Sequence, residues 1–419
     1  MGDKVFLGLV ADDFTGASDA ASFLAASGLS VILCNEVPEK FEQTPDAIVI
    51  ALKSRTIPAD EAVQQSINAF KWLKSKGAEQ IYFKYCATFD STEKGNIGPV
   101  TDAVLDEWGL DYTVVCPALP VNGRTVREGI LYVNGIPLEQ SHMKDHPLTP
   151  MRDSYIPRLM EKQSKCKAYV VSTEEMRAIA NGTCGLKKPE NCAGRWCYVP
   201  DYYEDAHGDL IAEVFGNIPF LTGGSGLAGA LGRRYAKNNS LNAKSANSFH
   251  HSDGKTLLLA GSCSKVTLEQ IAEYQKSHES FQILPEKLLN GEQTTESIFD
   301  WIKTHGDRVL VFSSQSPEEM KKTQELGQER VASAIESVLS AVALEAVENG
   351  YTKIISAGGE TSGAVTKALG YSTFYTGTSV APGVPVMIPV ENSSLRIVLK
   401  SGGFGQKDFF ERAVEITNE

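Results

Sequence analysis

Short apolar runs, each followed by a stretch with apolar residues at helical spacing, recur along the whole chain, and this alternation constrains the fold most. KVFLGLVA (4–11), 29–34, 81–85, 112–118, 167–171, 195–199 and 218–222 read as strands. Helices fall between them at 16–27, 60–76 and 98–108, with Ala62, Ile67, Phe70 and Leu73 spaced to line one face of the second. Repeated strand–helix–strand units place their strands parallel, so the expected class is α/β, with doubly wound and largely parallel sheets. The stretch KNNSLNAKSANSFHHSDG (237–254) interrupts the pattern. It is polar and nearly free of large apolar residues, and it reads as a linker. Strands then resume at 255–261, 281–284, 308–312, 353–357 and 395–403, and one long helix is expected over 317–349. The expected organisation is a domain at 1–236, a linker at 237–254 and a domain at 255–419.

Charge narrows the partners. Forty lysines and arginines against 52 aspartates and glutamates leave a net charge of −12. An acidic surface repels nucleic acid and anionic lipid, so neither is an expected partner. A small anionic ligand would need a locally basic pocket. No apolar run approaches a membrane span, and residues 1–4 run straight into a strand pattern rather than a signal peptide. The eight cysteines form no C-x-x-C pair and read as reduced thiols, which points to a cytoplasmic chain. The spacing of Cys184, Cys192 and Cys197 matches no zinc pattern. His142 and His146 are four apart, but Pro147 ends any helix there and no third ligand is in view. No metal site is expected from protein side chains.

Glycine-rich turns follow several strands, where open α/β sheets bind ligands. Gly224-Ser225-Gly226-Leu227-Ala228-Gly229 is a literal G-x-G-x-x-G. It lacks the acidic residue about 20 positions on that a dinucleotide site requires, so tight packing of a helix on its strand is the plainer reading. Three further turns lie in the C-terminal half: Gly261-Ser262-Cys263-Ser264, Ser356 to Gly363, and Ser401-Gly402-Gly403-Phe404-Gly405. The second has P-loop spacing but Ala364 where a P-loop has lysine. Three such turns in one domain point to a polyphosphate lying on backbone N–H groups.

The N-terminal half carries Ala11-Asp12-Asp13-Phe14-Thr15-Gly16-Ala17-Ser18-Asp19 where the first strand meets the first helix. Adjacent aspartates suit proton transfer, metal binding or recognition of hydroxyls, and Asp13 or Thr15 would also cap the helix. Lys53, Arg55, Lys84, Arg124 and Arg127 stand at or near other strand ends and together could form a basic pocket.

Taken together, these segments resemble the four-carbon acid sugar kinases, which phosphorylate tetronic acids with ATP. The resemblance spans nearly the whole chain. Lys84-Tyr85-Cys86-Ala87-Thr88-Phe89-Asp90-Ser91-Thr92, Gly95 to Val100, Asn122 to Val126 and His146 to Met151 are similar to the branch acting on 3-oxo-tetronate. One departure is Ala87, where the branch leads one to expect serine. The resemblance implies a substrate-binding N-terminal domain, a nucleotide-binding C-terminal domain, and an active site between them. It implies that Asp12 or Asp13 acts as base toward the 4-hydroxyl, with Thr15, Gly16 and Asp19 on the acceptor side. Arg55, Lys84 and Arg124 would bind the carboxylate, and Ser91 and Asn96 the hydroxyls. Ser262, Ser264, Gly358, Gly359, Glu360, Thr361, Gly402 and Gly403 would hold ATP, with Mg²⁺ bridging its phosphates through water and substrate oxygens. A homodimer is left open. Competing readings are D-threonate or erythronate 4-kinase activity, a nicotinamide dehydrogenase and a non-catalytic sugar-acid sensor.

Overall fold

The structure, a computed structural model, describes residues 5–190, 192–241, 251–252 and 254–418. It divides into two compact units, Met1–Ala246 and Asn247–Glu419. Most of the expected linker, 242–250 and 253, lies outside the described residues, while residues 237 and 238 close a helix.

In the first unit the strands are β1 (Leu7–Ala11), β2 (Val31–Asn35), β3 (Ala47–Ala51), β4 (Gln80–Lys84), β5 (Tyr112–Cys116), β6 (Arg124–Arg127), β7 (Ile130–Val133), β8 (Ile136–Pro137), β9 (Lys167–Val171), β10 (Trp196–Pro200) and β11 (Phe220–Gly223). Its helices are α1 (Phe14–Ala26), α2 (Ala59–Ser75), α3 (Ile97–Glu107), α4 (Ile156–Glu161), α5 (Thr173–Ala180), α6 (Asp205–Phe215) and α7 (Ser225–Asn238). Eight strands pair in parallel in the order β2-β3-β1-β4-β11-β5-β10-β9. β1, β3 and β4 are buried along their whole length, as expected of a parallel sheet covered on both faces. A small antiparallel sheet, β6-β7-β8, has no counterpart in the sequence reading.

In the second unit the strands are β12 (Lys255–Ala260), β13 (Ser280–Gln282), β14 (Arg308–Phe312), β15 (Tyr351–Ala357), β16 (Thr373–Ala381), β17 (Val384–Pro389) and β18 (Arg396–Lys400). Its helices are α8 (Lys265–Tyr274), α9 (Pro285–Leu289), α10 (Thr295–Thr304), α11 (Pro317–Gln324), α12 (Gln328–Glu348), α13 (Gly359–Leu369) and α14 (Phe409–Ile416). The order is β13-β14-β12-β15-β18-β17-β16, parallel except for the antiparallel pairs β17–β18 and β16–β17. The single helix expected over 317–349 is two helices. Gly327 adopts φ +91°, a left-handed conformation that a glycine adopts without a Cβ penalty, and the chain turns there between α11 and α12.

Both units reverse strand direction of travel at the first strand. From β1 the chain builds β2 and β3 on one side and β4 on the other. From β12 it builds β13 and β14 on one side and β15 on the other. Such a switch point opens a crevice at the carboxyl ends of the two central strands. Register places Ala11 beside Ala51 and Lys84, with Gly223 beside Lys84. In the second unit Ala260 stands beside Phe312 and Ala357, and Ala357 beside Lys400.

Candidate active site

At the first switch point the chain leaves β1 directly into Asp12 and Asp13. Arg55, four residues beyond β3, reaches back over them. Its Nε donates to Asp12 Oδ2 at 3.0 Å and its NH2 to Asp12 Oδ1 at 2.8 Å, and NH2 also donates to Asp13 Oδ1 at 2.7 Å. NH1 stands 3.7 Å from Asp90 Oδ2. The Arg55 loop is itself tied down, because Ser54 N and Arg55 N both donate to Asp12 O. Asp13 caps α1, its Oδ1 accepting from Gly16 N at 3.0 Å. Thus Asp12 is buried with both oxygens on one guanidinium, whereas Asp13 keeps Oδ2 on a side chain that is 31% exposed. Burial pushes the Asp12 carboxyl above its ordinary range, and Arg55 opposes that rise.

Lys84, the last residue of β4, is buried, and its Nζ makes no hydrogen bond or ion pair among the described residues. A Cβ built on Gly16 would lie 2.3 Å from that nitrogen, so the glycine is there to admit the ammonium at the first turn of α1. Deeper on α1, Asp19 Oδ2 accepts from Ser225 Oγ while Oδ1 has no partner. Burial raises the Asp19 carboxyl, with Lys84 opposing. Thr15 stands on the same first turn, half-buried.

Three residues expected to meet hydroxyls or carboxylate also brace the loops. Asn96 Nδ2 donates to the carbonyls of Ser54, Arg55 and Ile57 at 2.6, 3.2 and 3.0 Å. Ser91 Oγ donates to Gln163 Oε1 at 2.8 Å. Arg124 NH1 donates to Asn122 O in its own turn. Between Lys84 and Ser91 the chain doubles back. Thr88 Oγ1 donates to Asp90 Oδ1 at 2.6 Å, and buried Phe89 takes φ +60°, an uncommon conformation for a bulky residue. That turn is what carries Asp90 to Arg55. His146 serves a local turn, with Nδ1 accepting from Thr149 N at 3.1 Å. Among the described residues, no cluster of three or more histidines, cysteines or carboxylates could hold a metal ion.

At the second switch point the turns after β12, β15 and β18 interlock. Gly261 N and Ser262 N donate to Ala357 O, and Gly358 N donates to Lys400 O. Ser264 caps α8, and its Oγ donates to Gly402 O at 2.6 Å. Gly358 adopts φ +135°, and a Cβ on Gly402 would lie 2.3 Å from Ser262 Oγ. Those two glycines are packing requirements. Gly359, Gly363 and Gly403 differ, because a Cβ on any of them would meet nothing within 4 Å. Gly359 opens the 11-residue helix α13, whose first N–H groups lack helical partners, Gly363 lies one turn further along it, and Gly403 lies in the turn after β18. Glu360 and Thr361 lie on that first turn.

Beside these turns is a cavity of about 200 Å³ lined by Gly261, Ser313, Gln315, Met320, Val331 and Ile335, among others. The break at Gly327 creates its wall, since α11 contributes Met320 and α12 contributes Val331 and Ile335. Buried Ser313 Oγ has no partner. Apolar spacing alone does not reveal this cavity, because the helical pattern over 317–349 continues on both sides of Gly327.

A sugar-binding N-terminal domain model matches residues 7–231, and a nucleotide-binding C-terminal domain model matches 257–410. The 3-oxo-tetronate kinase of Haemophilus influenzae is 42% identical over 418 residues, covering 97% of this chain and 98% of its own length. That of Actinobacillus succinogenes is 42% identical, covering 98% and 99%. The chain belongs to the 3-oxo-tetronate kinase family. The crystal structure of a Haemophilus influenzae protein is similar throughout, with a TM-score of 0.87 at 41% identity, covering 98% of this chain and 100% of that one. Family membership makes the chain a kinase, a phosphotransferase with an alcohol acceptor.

The dehydrogenase reading of Gly224 to Gly229 gives way on geometry as well. A Cβ on Gly224 would lie 2.4 Å from Pro117 O, one on Gly226 2.9 Å from Ala118 O, and one on Gly229 3.1 Å from Phe23. Those glycines let α7 pack against its neighbours. Two functional candidates escaped the sequence reading. Asp90 lay in a quoted segment with no role attached. Lys400 closes a buried strand, and a single charge at the end of an apolar run was its only signal.

Proposed function

We propose that this chain transfers the γ-phosphoryl group of ATP to the 4-hydroxyl of 3-oxo-tetronate. The observation that carries the reading is a receptor for a hydroxy acid at one switch point: a buried ammonium with no hydrogen bond or ion pair among the described residues, Lys84, beside an oriented aspartate with one oxygen open, Asp13. Relatives about 40% identical over the full chain are 3-oxo-tetronate kinases, and they suggest the substrate.

In this reading Lys84 holds the acid's carboxylate and Asp13 Oδ2 accepts the proton of the 4-hydroxyl. Asp12 and Arg55 act behind them. The bidentate pair fixes the guanidinium, and the guanidinium fixes Asp13. Asn96 fixes the Arg55 loop, and Ser91 the loop beyond Asp90. On the other unit, the N–H groups around Gly359 and Gly403 and the hydroxyl of Ser262 cradle the phosphates, and Ser264 holds the Gly402 turn in place. The adjoining cavity takes the nucleoside. Phosphoryl transfer asks little covalent work of the protein beyond positioning and charge neutralisation. Mg²⁺ would bridge the phosphates through water and substrate oxygens, because this ion keeps several of its waters when it binds.

The test is release of ADP with 3-oxo-tetronate, D-threonate and D-erythronate as acceptors, with the product's phosphate position fixed by NMR. We expect the 3-oxo acid to have the highest kcat/KM and to be phosphorylated at the 4-position. A higher value for either reduced acid would reassign the substrate, and turnover of none would reject the reading.

A further inference from the structure

Behind the Gly402 turn lies a cation with no anion. Lys400 is 2% exposed, and its Nζ donates to Thr267 Oγ1 at 3.0 Å, Gly402 O at 3.2 Å and Ser401 O at 3.3 Å. The ring of Phe409 lies 5.5 Å away. Among the described residues, no carboxylate comes within ion-pair distance of it. A buried charge is costly unless it is paired, so an ammonium that meets only neutral partners is held there against its own tendency to lose the proton. Burial in fact pushes the Lys400 ammonium down to about 8.

The turn it supports is built to face outward. Gly402 O accepts from Ser264 Oγ at 2.6 Å and Thr267 Oγ1 at 3.1 Å as well as from Lys400. Pinning that carbonyl inward aims the N–H of the same peptide, on Gly403, the opposite way, because the two groups of a trans peptide are antiparallel. Gly403 is the glycine of this turn whose Cβ would meet open space. Lys400 therefore orients one donor and adds positive potential behind it, in a medium where that potential is weakly screened.

We propose that Lys400 is a positioning residue for the nucleotide's phosphate chain, and that the polyphosphate of ATP is the anion its buried charge awaits. This rests on the nucleotide reading of the second unit. Lys400 does not touch the phosphates. It acts through Gly402, Gly403 and the field at the turn, which no P-loop lysine supplies in this chain.

The experiment measures ATP, ADP and AMP binding by calorimetry to the full chain and to Lys400→Met at one magnesium concentration. A charge acts in proportion to the charge it meets. We expect ATP affinity to fall by about tenfold or more, AMP affinity by less than about threefold, and ADP to lie between. Equal losses for all three nucleotides would mean a purely structural role and would overturn the proposal, as would no loss for ATP. Lys400→Gln keeps two donors for the turn and removes the charge, so it should show the same ordering if the methionine variant does not fold. Lys400→Arg should restore part of the preference for ATP over AMP, and failure to do so counts against the charge. If the wild-type chain binds neither ATP nor inorganic triphosphate, the nucleotide reading itself fails, a result distinct from any of these.

Discussion

At the carboxyl edge of the first unit, the row Ala51–Ala11–Lys84 runs into charged side chains. At the same edge of the second unit, the row Phe312–Ala260–Ala357–Lys400 runs into glycines and serines. The topologies at the two switch points are alike, and the chemistry differs. The first presents Asp13 and Lys84 with a bracing layer of Asp12, Arg55, Asp90 and Asn96 behind them. The second presents backbone N–H groups, with the buried cation Lys400 on the inner side of the turn. A small acid with a single carboxylate needs a localised partner and a base. A polyphosphate spreads its charge over many oxygens and is met by many weak donors. The difference teaches that the same fold can be read for ligand type from what stands one or two residues past the strand ends.

The sharpest way to break this comparison is to remove the base. Asp13→Asn should lower kcat by about 10²–10⁴-fold and leave the KM for ATP near wild type. If ATP binding is lost and acceptor binding kept, the aspartates belong to the nucleotide and the division between units fails. Asp12→Asn should also lower kcat, because Arg55 loses the partner that fixes it. Unlike Asp13→Asn, it should lower the melting temperature too, since a buried guanidinium partner is removed.

The next test separates open glycines from packed ones. Gly359→Val introduces a side chain into empty space at the α13 N-terminus, so the KM for ATP should rise by roughly tenfold with an unchanged melting temperature. Gly402→Val must displace Ser262 and Ser264, so it should weaken ATP binding and destabilise the fold together. If both variants melt like wild type, the interlocked packing of the turns is misread.

Gly16→Ala probes the acceptor side by the same logic. The methyl group would fall on both Lys84 Nζ and Asp13 Oδ1, so the KM for the acid should rise several-fold and kcat should drop while the KM for ATP holds. An unchanged KM for the acid would remove Lys84 from carboxylate binding, and an unchanged kcat would remove Asp13 from proton transfer.

The smallest effect concerns pH and stability. The Lys400 ammonium titrates near 8 in the folded chain and near 10.4 when unfolded, so between those values the unfolded state holds more protons. Stability attributable to this residue then rises with pH across that window. Lys400→Met should be more stable than wild type at pH 7, and the gap should shrink as pH approaches 10. Thermal melts of both proteins in low nucleotide across pH 7–10 would read it, and a gap that widens would contradict the burial of a charged lysine.

Much of this was legible in the chain. The strand–helix alternation, the paired aspartates and the glycine turns are local patterns, set by periodicity and by the steric freedom of glycine. They were sufficient to locate Asp12, Asp13, Gly359 and Gly403 at strand ends. What each such residue meets is not local. Asn96, Ser91 and Arg124 are polar residues in suggestive segments, and only folding revealed that their hydrogen bonds close on Ser54, Gln163 and Asn122. Nor could periodicity show that Gly327 breaks a helix and opens a cavity, because the apolar spacing continues on both sides of it. Sequence by itself determined the class of the sheets and the residues placed at their edges, since both follow from interactions a few positions apart. Tertiary structure alone decided which aspartate keeps an open oxygen and which glycine faces a ligand, and it left Lys400 without an anion. Those properties depend on which groups, 40 to 140 positions distant, occupy the neighbouring space.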